Sequence, residues 1–157
     1  MKKIFAIFSV VLILLSFPKI SYADEYNTIY QEDGHIEYYS DGSYSITRIE
    51  TSEVSVLATS TVTKTKYIDH FGSDDEKEWR ITVTGTFNYT GSSATCTNSK
   101  VSYKIYDSSW KVTSATASKS GRVATGDFTL KRYTLGIPTK TVNETLTITC
   151  SNTGVCS

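Results

Sequence analysis

From Trp79 to Thr90 the chain alternates without a break between two kinds of side chain. Trp79, Ile81, Val83, Gly85, Phe87 and Tyr89 hold one set of positions; Arg80, Thr82, Thr84, Thr86, Asn88 and Thr90 hold the other. In an extended chain successive side chains point to opposite faces, so this pattern yields one aromatic and aliphatic face and one hydroxylated face. A helix would scatter the same residues around its circumference and bury none of them efficiently. The run therefore predicts a long strand with one side in a core and the other in water. Shorter rows repeat the pattern: Val101, Tyr103 and Ile105, then Trp110 and Val112, then Phe128 and Leu130. Val142, Leu146 and Ile148 alternate with Thr141, Asn143, Thr145, Thr147 and Thr149, with Glu144 interrupting the apolar face. The stretch Thr59 to Tyr67 alternates polar with polar, which suggests an edge strand.

Turn signals separate these rows at the spacing of antiparallel sheets. Asp33-Gly34 and Asp41-Gly42 are tight-turn dipeptides, and Phe71-Gly72-Ser73-Asp74-Asp75 links the polar strand to the Trp79 strand as a wider hairpin. The count is about nine or ten strands, more than one open sheet can cover. The expected fold is all-β, an antiparallel two-sheet sandwich of immunoglobulin-like kind, with a barrel as the rival. Residues 24–53 are more acidic and richer in tyrosine than residues 54–157. They read as an N-terminal hairpin or appendage, with the compact sandwich domain spanning 54–157.

The first 23 residues stand apart. Lys2 and Lys3 precede an apolar run from Ile4 to Phe17, Pro18 ends it, and Ser21-Tyr22-Ala23 places small residues before Asp24. This is the order of a secretory signal peptide, with cleavage expected between Ala23 and Asp24. The run is too short for the roughly 20 residues of a membrane span, so no stable membrane insertion is expected after cleavage. The short double-lysine start is of a bacterial kind. The expected location is extracellular.

Removing the three leader lysines leaves 13 basic against 16 acidic groups. With no basic excess, a phosphate backbone has nothing to hold it, and nucleic-acid binding is disfavoured. Serine and threonine make up 42 of the 134 residues after the leader. That composition, with 12% aromatics, describes a folded hydroxyl-rich β protein and excludes disorder and collagen.

A secreted chain with three cysteines is expected to form one disulfide and leave one thiol over. A Cys96–Cys150 bridge would close a loop of about 55 residues, worth roughly 4 kcal/mol in the chain-entropy model. A Cys150–Cys156 bridge would close a small ring around Gly154 and stabilise less. The first is the expected pair and the second its open alternative.

The segment from Thr84 to Ser151 contains GTFNYTGSSATC, SSWKVTSATASKSGRVATG and LGIPTKTVNETLTITCS. These pieces resemble a family of small secreted proteins of unknown function from clostridia and related Firmicutes, over about half of the chain after the leader. The resemblance implies export, a β-sandwich and pairing of Cys96 with Cys150. Cys156 departs from the family's usual ending. The resemblance brings no catalytic residues with it.

The chemistry-bearing residues are few. His35 and His70 are the two histidines. Asp69 lies beside His70 in sequence, but neighbours on a strand face opposite ways and do not orient each other. His70 therefore reads as a surface hairpin residue. No CxxC or HxxxH spacing points to zinc. Asp74-Asp75-Glu76 with Glu78 lacks the alternating ligands and glycine turn of a calcium loop, and reads as a solvated hairpin tip. No catalytic residue, metal ligand or cofactor is expected. Tyr26, Tyr30, Tyr38, Tyr39 and Tyr44 crowd one region, where tyrosine suits either hairpin packing or a ligand surface. The functional expectation is a non-enzymatic extracellular binding or surface-interaction module, its partner an extracellular glycan or protein. A secreted hydrolase of unrecognised type and a small secreted toxin or inhibitor are the alternatives.

Overall fold

The computed structural model describes residues 30–31, 34–54 and 60–157; the leader with its Ala23–Asp24 cleavage position lies outside them. Nine strands succeed one another: β1 (Tyr30–Gln31), β2 (Gly34–Tyr38), β3 (Tyr44–Val54), β4 (Ser60–Phe71), β5 (Lys77–Tyr89), β6 (Ala94–Ile105), β7 (Trp110–Ser120), β8 (Val123–Thr134) and β9 (Ile137–Thr149). No helix occurs among the described residues. Strands β1 to β6 form one antiparallel sheet in chain order, and β7 to β9 form a second. The chain crosses between sheets once, through Tyr106–Ser109. Within each sheet every strand thus pairs with its neighbour in sequence. The result is a two-sheet sandwich built as a meander, without the returning strand of an immunoglobulin Greek key.

The alternating rows close the core. Trp79, Ile81, Val83 and Phe87 are fully buried on the first sheet. Ala124, Leu130 and Ile148 are fully buried opposite them, with Phe128, Leu146 and Trp110 almost so. Both faces are aromatic and β-branched where they meet and hydroxylated where they do not. Thr61, Thr63 and Thr65 hydrogen-bond across to Asn88, Thr86 and Thr84 on the outer face of the first sheet.

Two strand assignments differ from expectation. β4 pairs along its length with β3 and with β5, so it is an interior strand and not an edge. Its polar alternation reflects cross-strand hydroxyl pairing, which serves an interior strand whose outer face is wet. Residues 34–53, expected as part of an appendage, extend the first sheet, and β3 pairs with β4 from Tyr44 to Val54 with one register shift between Thr51 and Glu53. The boundary at 53/54 therefore falls within a paired strand.

The cysteine pairing is corrected as well. Cys150 is bonded to Cys156, and Cys96 is a separate buried thiol, in place of the expected Cys96–Cys150 bridge. The reason is a local turn. After β9 the chain reverses at Ser151–Gly154, with Ser151 N–H donating to the Val155 carbonyl (2.7 Å) and Gly154 at φ +82°. Positive φ suits glycine, and the reversal sets Cys150 and Cys156 opposite each other at a Cα separation of 4.0 Å. Cys96, on β6 of the other sheet, turns its sulfur to the Asn98 carbonyl (3.2 Å).

This pairing has a direct test. Trypsin without reduction is expected to release peptide 81–100 with a free thiol and peptide 141–157 with an internal bridge. Cys156→Ser, which opens a ring of seven residues, costs about 2 kcal/mol, and Cys96→Ala about 1 kcal/mol. Recovery of 81–100 linked to 141–157 would restore the long-range staple.

Candidate functional site

At one end of the sandwich the turns Tyr39–Ser43 and Gly72–Glu76, the crossing loop Tyr106–Ser109 and the β8–β9 hairpin gather. Ser45, His70 and Trp79 sit side by side there on β3, β4 and β5, facing the second sheet. The register fixes this row, because Ser45 pairs with His70 and His70 with Trp79. The His70 ring stacks on Trp79 at 4.6 Å and 12°, and Trp110 closes against both rings edge-on. His70 is 3% exposed, so it is a core residue and not the surface hairpin histidine that its position suggested. Its aromatic stacking explains why a polar ring is tolerated there.

Glu78 reaches the same place by an irregularity. Alternation along β5 would send Glu78 outward with Arg80. The ladder instead pairs His70 with Trp79 and Phe71 with Lys77, leaving Glu78 as the extra residue of a β-bulge. A bulge re-aims the side chain it adds, and here two successive residues, Glu78 and Trp79, are both buried. The Glu78 carbonyl accepts from the Tyr106 and Asp107 N–H groups (2.9 and 3.0 Å), which pins the bulge to the crossing loop. Its carboxylate Oε2 accepts from Trp110 Nε1 (2.8 Å), and Arg132 Nη2 stands 3.5 Å from Oε1. The rest of the acidic run, Asp74, Asp75 and Glu76, is exposed. A second bulge, at Thr139 on β9, brings Lys140 opposite Arg132. Lys140 Nζ then donates to Asp41 Oδ2 (2.7 Å), joining the two sheets at their rim. This bond, with the Ser43 contacts, holds the Asp41 carboxyl far below the usual carboxylate range.

The protonation of His70 is set by its neighbours. Tyr39 Oη donates to Ser45 Oγ (3.3 Å), and Ser45 Oγ lies 2.9 Å from His70 Nδ1. If Nδ1 carried the proton, the Ser45 hydroxyl would lack an acceptor and the Nε2 lone pair would face the Glu78 carboxylate. The Ser45 hydroxyl therefore donates to Nδ1, and Nε2 carries the hydrogen. Burial, reinforced by the Lys140 and Arg132 cations against the pull of Asp41, pushes the ring's pKa down to about 4. At neutral pH the contact between Nε2 and Glu78 Oε2, 3.5 Å, is thus no ion pair and too long for a hydrogen bond. Nε2 is buried without a hydrogen-bond partner.

Two hollows meet at this ring. One, of about 160 Å³, is walled by Asp41, Ser43, His70, Glu78, Arg132 and Lys140, with the Gly72–Asp74 turn at its side. The other, of about 70 Å³, is more apolar and lined by Tyr39, His70, Trp79, Lys140, Val142 and Glu144. Together they offer donors, acceptors and an apolar flank within a few residues.

Asp69, adjacent to His70 in sequence, faces the other way. It takes two hydrogen bonds from Arg80 (2.6 Å each) and one from Lys77 (2.9 Å). Burial opposes its ionisation, but these donors keep its carboxyl below the usual range. Of the crowded tyrosines, Tyr39 lines the site, whereas Tyr38 and Tyr44 pack outside, Tyr44 stacked on Phe71 at 4.8 Å. Tyr26 lies outside the described residues, and His35 is exposed. Among the described residues no group of three or more His, Cys, Asp or Glu converges as a metal site. No family model, curated protein or solved structure matches this chain.

Proposed function

We propose that the chain is a secreted, non-enzymatic binding module whose ligand, a sugar unit of an extracellular glycan, enters the His70–Glu78 cavity. The observation that carries this reading is the buried His70 Nε2–H, which lacks a hydrogen-bond partner on the cavity wall. A buried donor left unpaired costs about 1–3 kcal/mol, and an acceptor oxygen on a ligand recovers it. Glu78, Arg132, Lys140 and Asp41 add acceptors and donors of both signs, as a polyhydroxylated ligand requires. Tyr39 and Val142 supply the apolar flank for a ring face. The volume suits one residue of a glycan rather than a larger ligand.

A hydrolase reading draws on two adjoining contacts of the same ring. Ser45, His70 and Glu78 form a hydroxyl–imidazole–carboxylate series, 2.9 Å and 3.5 Å apart. Ser45 is 4% exposed, however, and its oxygen already accepts from Tyr39 and does not line either hollow. A nucleophile needs access to its substrate, and an imidazole pushed down to about 4 is a weak base. Binding is the better-supported chemistry.

A glycan array probed with the purified protein tests the proposal. Glu78→Gln and Arg132→Ala are expected to lose about tenfold or more in binding, without a matching loss of fold by circular dichroism. Binding that these variants leave untouched, or an array with no positive, would refute the site. Turnover of chromogenic ester or glycoside substrates that His70→Ala abolishes would establish the hydrolase instead.

A further inference from the structure

The β8–β9 hairpin ends in a two-residue turn, Leu135-Gly136, closed by the pair Thr134 and Ile137. Both turn residues have positive φ, 52° and 80°, the signature of a type I′ turn. The first position of such a turn favours asparagine, aspartate or glycine, and a leucine there carries a steric penalty. Leu135 nonetheless occupies it and is 98% exposed. Ile137 beside it is 66% exposed. Neither side chain does anything for the core, and Leu135 works against its own turn.

The hairpin also stands clear of its neighbours. The Tyr133 N–H donates to the Ser109 carbonyl (2.8 Å), next to Trp110 where β7 begins. Leu135 lies two residues beyond that last contact, about 7 Å at the rise of an antiparallel strand. At the base of this projection sits Tyr133, with Lys111 Nζ over its ring at 5.1 Å. Lys111 and Lys131 are direct partners across β7 and β8, a like-charge pair that disfavours the sheet. Arg132 and Lys140 occupy the opposite face at the same level.

We infer that the Leu135–Ile137 tip adsorbs to the surface of an anionic phospholipid bilayer. The order along the hairpin matches the interface in depth: apolar tip, then an aromatic ring about 7 Å behind it, then the Lys111–Lys131 pair at about 13 Å. A tip of that length enters only the headgroup and upper acyl region, so this is adsorption and not a span. Two side chains are far too little for a stable protein interface, which needs roughly 1,000 Å². The acidic turn Asp74-Asp75-Glu76 at the same end repels the same lipids and confines the approach to the β8–β9 corner. Binding is accordingly weak and reversible. Its tip and lysine pair, Leu135, Ile137, Lys111 and Lys131, line neither hollow of the ligand site.

Vesicle sedimentation decides the matter, with phosphatidylcholine alone and with about one-quarter phosphatidylserine added. The wild-type protein is expected to partition onto the anionic vesicles, several-fold less onto neutral ones, and less at high salt. Leu135→Asn with Ile137→Thr is expected to reduce partitioning by about tenfold or more while leaving the melting temperature unchanged or raised, since asparagine accepts positive φ. Lys111→Gln with Lys131→Gln is expected to erase the preference for anionic vesicles. Equal binding by wild type and the tip variant would overturn the inference, as would no binding by wild type. A concentration-dependent dimer that Leu135→Asn dissolves, without vesicle binding, would assign the tip to a second copy of the chain and overturn it too.

Discussion

Between about pH 6.5 and pH 4 the folded protein is expected to lose about 3 kcal/mol of stability through His70. The ring's pKa falls from the ordinary 6.5 to about 4 on folding. Throughout that window the unfolded chain binds a proton that the folded chain refuses, so stability falls as pH falls. The full contribution is present above pH 6.5 and is gone below about 4. Burial is the chief cause, because the ring lies between Trp79 and Trp110 at 3% exposure. Lys140 and Arg132 reinforce it, while Asp41 opposes it. The Glu78 carboxylate at 3.5 Å also favours the charged ring. Glu144, on the wall of the apolar hollow, works in the other direction. Burial, then Glu37, raises its carboxyl, so the folded chain takes up that proton readily and recovers part of the loss on acidification. Urea unfolding across this range for wild type and His70→Gln isolates the histidine, because glutamine does not titrate. An imidazole proton titration with a midpoint above 6, or equal pH slopes for the two proteins, would contradict the assignment.

The same features that hold His70 neutral explain why the end of the sandwich is polar at all. A purely apolar end would bury Trp79 and Trp110 at less cost, yet Glu78 and His70 sit between the sheets there at 7% and 3% exposure. Each is supported by a bond that the fold supplies, Trp110 to Glu78 and Ser45 to His70. Partly satisfied polar groups inside a core are a liability for folding alone. Their placement beside an open hollow is what gives the cavity its functional reading.

Strand identity was legible in the sequence because side-chain alternation is a local consequence of the extended backbone. The row Trp79, Ile81, Val83 and Phe87 is fully buried, as its period requires. The partners of a strand are not local, which is why the polar Thr59–Tyr67 stretch reads as an edge although β4 is interior. Two cations of the site, Arg132 and Lys140, were missed, although a signal for them was present: Arg132 continues the row Phe128 and Leu130, and Lys140 precedes Val142 at the same period. Glu78 left no such signal, since a bulge inserts one residue and moves a side chain to the other face without altering the pattern around it. His70 was hidden for a related reason. A turn signal at Gly72 places it near a hairpin tip, but tip proximity does not decide which face is covered, and the second sheet covers this one. The cysteine pairing turned on a glycine reversal of four residues, which loop-entropy arguments about long staples do not see.

Gly85→Val is expected to cost about 3 kcal/mol or more, and Gly85→Ala about 2 kcal/mol. In most strands the opposite holds, because glycine gives up more backbone freedom than alanine on folding and contributes no side chain. Here the two sheets approach too closely for any side chain. A Cβ at Gly85 would lie 2.6 Å from the Phe87 ring and 2.8 Å from the Ala124 Cβ on the facing sheet. Phe87 is fully buried and has no space to swing into, and Ala124 moves only with its strand. Gly126 on β8 repeats the constraint, its added Cβ meeting Val101 at 2.7 Å. The glycines therefore set the spacing at which Val83, Phe87 and Phe128 interlock. Shrinking the obstacle is expected to recover part of the loss. In Gly85→Ala with Phe87→Leu the two costs should sum to about 1 kcal/mol more than the double variant shows, the sign of a shared contact. Chemical denaturation of the four proteins measures the cycle. A Gly85→Ala protein as stable as wild type, or more so, would mean that the sheets have room at this point and that the glycine is there for another reason.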